Sequence, residues 1–106
     1  MTKVKIDAGI CGFMTKVTAE ASGDDVKLTI VSGCPAVQKM AKEIGDTFDP
    51  YELCLVKPGE GPLFEYASKN FPVHVACPVI AGITKCAEAE CNLALKKDAS
   101  ITFIEE

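Results

Sequence analysis

The residues best suited to chemistry in this 106-residue chain are three cysteines at places where the chain turns. Two segments repeat one signature: an apolar run of strand character, then Cys-Pro, then an amphipathic helical pattern. They are VKLTIVSGCPAVQKMAKEIG, with Cys34, and FPVHVACPVIAGITKCAEAE, with Cys77. Each Cys-Pro sets a sulfur at an expected helix start, where unpaired amides and the helix dipole stabilise an anion. Cysteine is a poor neutral cap compared with Ser, Thr, Asp or Asn, so its recurrence there points to use of the sulfur. The thiolate is both the nucleophile and the metal ligand. A third cysteine, Cys11, lies in DAGICGF, between glycines that allow a tight turn and close approach of another group.

The other chemistry-bearing residues divide into candidates and packing. Asp7, four residues before Cys11, His74, three before Cys77, and Cys54 are candidate fourth ligands beside Cys11, Cys34 and Cys77. Each also has a plain structural reading. Cys54 sits between leucines and fits a core. His74, the one histidine, alternates with Val73 and Val75. Cys86 and Cys91 are five residues apart on one expected helix and so project about 140° apart, too far to share a compact metal site. Glu88, Glu90, Glu105 and Glu106 read as solvated surface. The sequence has no C-x-x-C pair, P-loop, G-x-S-x-G elbow or G-x-G-x-x-G after a strand.

The elements that must position these cysteines follow from periodicity. Val4 and Ile6 alternate with polar residues, as do Thr15 to Ala21 and Val26 to Ile30. The turn Ser22-Gly23-Asp24-Asp25 joins the latter two as a hairpin. This predicts a three-stranded antiparallel meander with one buried face. Pro35 fits the first position of a helix whose apolar stripe is Val37, Met40, Ala41 and Ile44, stopped by Gly45. Asp49-Pro50-Tyr51-Glu52 reads as a capping start, although LCLV after it also suits a strand. Residues 57–62 form a loop. A short helix over 62–69 turns Leu63, Tyr66 and Ala67 inward, and Val73 with Val75 reads as a short buried strand or linker. A last helix over 78–91 carries Ile80, Ile83, Ala87 and Cys91, with Gly82 costing it about 1 kcal/mol relative to Ala. Asn92 suits a left-handed stop, and Ile101 to Phe103 a short closing strand. The expectation is one α+β domain over residues 1–106: the meander packed against three to four helices, with the closing strand.

Composition narrows the function. The net charge is −4 and the 11 basic residues are scattered, which argues against nucleic acid as a partner. No apolar stretch reaches the roughly 18 to 20 residues of a membrane helix, so no membrane partner is expected. The start of the chain reads as a strand rather than a targeting segment, which suggests a cytoplasmic protein. In that compartment six cysteines point to free, buried or metal-bound thiols rather than disulfides.

The order of CG in a turn after a strand, GC at a helix start after a hairpin, and a late third Cys resembles NifU-type iron–sulfur cluster scaffolds, over about residues 4 to 92. The resemblance implies a NifU/SufE-like fold, Cys11, Cys34 and Cys77 as three ligands of zinc or an iron–sulfur cluster, and a protein partner or cluster acceptor. Phe13 and Ala76 stand where that family carries an acid and a histidine. DAGxCG, CP and a late CPV look nearer still to a small uncharacterised Cys-Pro family of anaerobic bacteria and archaea, which implies no activity. Three functions follow from the residues: a non-enzymatic thiolate metal or iron–sulfur protein; a thiol redox or transfer enzyme using Cys34 or Cys77; and a homodimerising module whose cysteines only pack.

Overall fold

The computed structural model of the chain describes residues 1–105. It is α+β: β1 (Thr2–Asp7), β2 (Met14–Ser22), β3 (Asp25–Ser32), α1 (Pro35–Ile44), β4 (Thr47–Phe48), α2 (Pro50–Cys54), α3 (Pro62–Asn70) and α4 (Val79–Glu90). The four strands form one antiparallel sheet in chain order. The meander has the expected register, with Val4 opposite Val17 and Val17 opposite Ile30.

Strand alternation puts Ile6, Val17, Ala19, Val26 and Leu28 on the face that the helices cover. Val37 and Met40 of α1, Leu53 of α2, Leu63 of α3 and Val79, Ile80, Ile83, Cys86 and Ala87 of α4 complete one core against that face. The opposite face, with Lys3, Lys5, Lys16 and Lys27, stays exposed. α4 lies against β1 and β2, and Gly82 is the reason it can do so. A methyl group there would fall 2.5 Å from Ile6 Cδ1 and 2.7 Å from Ile6 Cγ1. The helix propensity that glycine gives up is thus exchanged for close helix–sheet contact.

Helix ends follow their sequence signals. Pro35 opens α1 and Gly45, at φ 79°, ends it. Asp49 accepts a hydrogen bond from Tyr51 N at 2.9 Å, so the capping start holds and LCLV is not a strand. Asn92 takes φ 59° after α4 and stops it as expected.

Two expected strands do not form. The Val73–Val75 region is bent backbone with both valines fully exposed, and His74 is exposed beside them. Pro72 and Pro78 flank it and no strand neighbours it, so alternation alone finds no ladder. Residues 101–103 form no closing strand either, and Ile101, Phe103 and Ile104 stand in solvent. The fourth strand of the sheet is β4, which lies beside β3 and at two residues is too short to show a period. Glu106, expected on the surface, lies outside the described residues. No helix is long and apolar enough to cross a membrane among the described residues.

Candidate thiol site at one end of the sheet

Strand direction decides where the cysteines lie. β1 ends at Asp7 and β2 begins at Met14, so the turn carrying Cys11 sits at that end of the sheet. Asp7 builds this turn: its carboxylate accepts from Gly9 N at 3.0 Å, and Gly12 N donates to Gly9 O at 2.9 Å. Gly9 and Gly12 both adopt positive φ, the backbone freedom the sequence assigns to them. Asp7 therefore shapes the Cys11 turn. Cys11 itself is exposed.

β3 runs back to the same end. Ser32 pairs with Thr15, and Gly33 N donates to Met14 O at 3.0 Å, so Cys34 emerges beside the start of β2. A methyl group on Gly33 would lie 3.3 Å from Phe13 Cδ1, which places the Cys11 turn against the Cys34 turn. Ser32 holds Cys34 in place. Its hydroxyl pairs with Thr15 Oγ1 at 2.8 Å and accepts from Cys34 N at 3.0 Å. Cys34 is the N-cap of α1, half-buried, with extended backbone and no side-chain capping bond.

α4 brings the third thiol. Gly82 faces Ile6 near the end of β1, Cys86 Sγ reaches Thr2 O at 3.3 Å, and Glu90 meets Thr2 and Ala21. The helix is antiparallel to β1, so its start points to the Asp7 end. Cys77 precedes that start by one residue more than expected, since Pro78 is the cap and Cys77 N reaches His74 O at 3.4 Å. Cys34 and Cys77 both pack against the core. Neither α1 nor α4 carries an acidic residue in its first turn, so neither helix start is neutralised by its own side chains.

The topology thus gathers Cys11, Cys34 and Cys77, with Asp7 and His74 in the same connections, at one end of the sheet. It does not close them into a pocket. Among the described residues, no three His, Cys, Asp or Glu side chains come close enough to hold a metal ion. As placed, the three thiols do not enclose zinc or a cluster.

The other thiols are of a different kind. Cys54 lies beside the middle of α4, its Sγ 3.9 Å from Thr84 O. Burial, then the negative charge of Glu88, pushes its thiol up to about 11. Burial also raises the Cys86 and Cys91 thiols, each with a smaller contribution from Glu90. Cys86 is fully buried, and its Sγ points at the Thr2 and Val17 carbonyls. Burial disfavours the thiolate of all three, which suits packing and opposes ligation. All six cysteines are free thiols.

One residue has a role the sequence hides. Glu90, expected as solvated surface, accepts from Thr2 Oγ1 at 2.7 Å and from Ala21 N at 3.0 Å, and lies 3.4 Å from the Met1 amine. It ties α4 to β1 and β2 at the end away from the thiols. The Ala21 amide, then the Thr2 hydroxyl, hold its carboxyl below the usual range. Only its place on the sheet-facing side of a long-range contact shows this, and no local motif signals it.

No curated protein and no solved structure matches the chain. A family model described as a family of unknown function, DUF6951, matches residues 2–103. The sheet, its helices and the thiol-bearing end all fall within the matched residues, and the chain belongs to the DUF6951 family.

Proposed function

We propose that the chain is a non-enzymatic thiolate protein that takes up a soft metal, as zinc or an iron–sulfur cluster, through Cys11, Cys34 and Cys77. The observation that carries this reading is topological. Three cysteines distant in sequence arrive at one end of the sheet: Cys34 at a helix N-cap, Cys77 just before another cap, and Cys11 on a glycine-hinged turn. Soft thiolates suit these metals. The donors are apart as placed, so uptake requires the exposed Cys11 turn to fold toward Cys34 and Cys77. Three thiols leave a position for Asp7, His74 or a ligand from a protein partner or cluster acceptor, as transfer requires. The order of the cysteine motifs resembles that of NifU-type scaffolds, which agrees with this reading.

The test is anaerobic titration of the reduced protein with Zn(II) and, separately, with iron and sulfide, followed by chelator competition and visible absorption. Replacing Cys11, Cys34 or Cys77 by Ser should weaken binding at least about tenfold, the loss that even outer-shell changes produce at metal sites. Cys91→Ser should leave it unchanged. Equal affinity in all variants, or no binding by the wild type, overturns the proposal.

A second reading rests on one detail. Cys34 holds a helix N-cap without a side-chain capping bond, the position at which a thiol becomes a nucleophile. In a thiol redox or transfer enzyme, Cys34 would be alkylated faster than the more exposed Cys11. Zinc would not protect it.

A further inference from the structure

The sheet has an unused edge and the chain has an unused strand. Ala8 N donates to Phe13 O, so with the observed register the Thr2, Val4 and Ile6 backbone groups face β2. The N–H and C=O groups of Lys3, Lys5 and Asp7 then point the other way, where no strand among the described residues pairs with β1. Such an edge is a template for another chain, and Lys3 and Lys5 on it oppose a neutral or basic strand while admitting an acid-flanked one.

Residues 100–105, SITFIE, have the composition and alternation of a strand about as long as β1. They pair with no strand among the described residues, and Ile101, Phe103 and Ile104 are 87%, 97% and 86% exposed. Three large apolar side chains within four residues, all in water, mark an interaction segment. Charge also matches. Lys5 stands directly opposite Lys16, and Lys3 is on the same face of the sheet. None of the three has a carboxylate within 4 Å among the described residues. Glu105 and Asp98 flank the apolar segment.

We propose that residues 100–105 of one copy add as a strand to the free edge of β1 in a second copy, reciprocally, giving a twofold dimer. The occupant is a second copy for a geometric reason. α4 delivers the chain beside Thr2, so the direct path along its own β1 runs parallel, the weaker pairing. A copy related by a twofold axis can offer the edge antiparallel. Each copy then supplies one strand and receives one, as closed symmetry requires.

The test is sedimentation equilibrium of the full chain under reducing conditions from micromolar to several hundred micromolar, with hydrogen exchange followed at single amides. A dimer is expected, with slowed exchange at Lys3, Lys5 and Asp7 that grows with concentration. Phe103→Asp changes a side chain free of the core, so the monomer stays folded. It should raise the dimer dissociation constant at least about tenfold, as loss of an interface aromatic does. Lys5→Pro removes an outward donor and should do the same, while far-ultraviolet circular dichroism reports the sheet. A wild type that is monomeric at several hundred micromolar overturns the proposal. Protection of those amides in a chain that sediments as a monomer would mean docking within one chain. A dimer indifferent to Phe103→Asp, or one broken by Ile30→Pro at the free part of β3 but not by Lys5→Pro, also overturns it.

Discussion

Glu90 shows how far a residue's role depends on what the fold brings to it. In sequence it is one of several acids near the end of a helix. In three dimensions its carboxylate accepts from Thr2 and from the Ala21 amide, two points on neighbouring strands. Those bonds favour the charged form and lower its pKa. The unfolded chain therefore binds this proton more readily. The stabilisation from Glu90 is complete above its unfolded pKa, near 4.5, and disappears as pH falls through the lower folded value. Glu90→Gln should cost about 1 to 2 kcal/mol at pH 7, as loss of charge-assisted hydrogen bonds does. Its urea midpoints should depend less on pH below 4.5 than those of the wild type. A variant whose acid limb follows the wild type would show that the clasp contributes nothing. Thr2 and Ala21 lie 69 or more residues from Glu90, so nothing local in the sequence could reveal the bond.

At the scale of elements, the parts with a strong local cause were legible. The meander follows from period-two alternation and a Gly-Asp turn, and α1 from Pro35, its stripe and Gly45. α2 follows from the Asp49 cap. Residues 101–103 and Val73 with Val75 carry the same alternation, yet form no strand, because a strand also needs a neighbour. β4 is the reverse case, a neighbour's gift to two residues without a pattern. Gly82 belongs to this scale too. Read along the helix it is a weakness; read across to β1 it is what lets α4 sit on Ile6. Gly82→Ala should destabilise by about 1 to 3 kcal/mol from overpacking, less the part of about 1 kcal/mol recovered in helix propensity. Ile6→Val removes the Cδ1 atom in the way. Thermal melts of the double variant should show less loss than the two single losses added, and strict additivity would count against the contact.

For the whole molecule, the sheet sorts the chain's chemistry. Glu90 fastens one end and the thiol-bearing connections occupy the other, while all four helices keep to one face. Of the three cysteines, the turn of Cys11 and the helix start of Cys34 were legible as boundaries that strand direction then places, while Cys77 lies one residue before its helix cap. Their spacing in three dimensions was not legible, since it depends on how the Cys11 turn and the segment before α4 lie beyond the sheet. The thiols also span the full range of depth. Cys11 is exposed, Cys34 and Cys77 are half-buried, and Cys86 is sealed between α4 and two strands. Under native conditions at pH 8, alkylation followed by peptide mass spectrometry should modify Cys11 first and Cys86 last. Early modification of Cys86 would contradict its burial.

The seal on Cys86 has a further use. Its sulfur can meet a reagent only when α4 lifts from β1 and β2, because the Thr2 and Val17 carbonyls that hold it belong to those two strands. At saturating reagent, the mass gained at this one cysteine becomes a clock for spontaneous breathing of the helix–sheet seam, readable without any introduced dye.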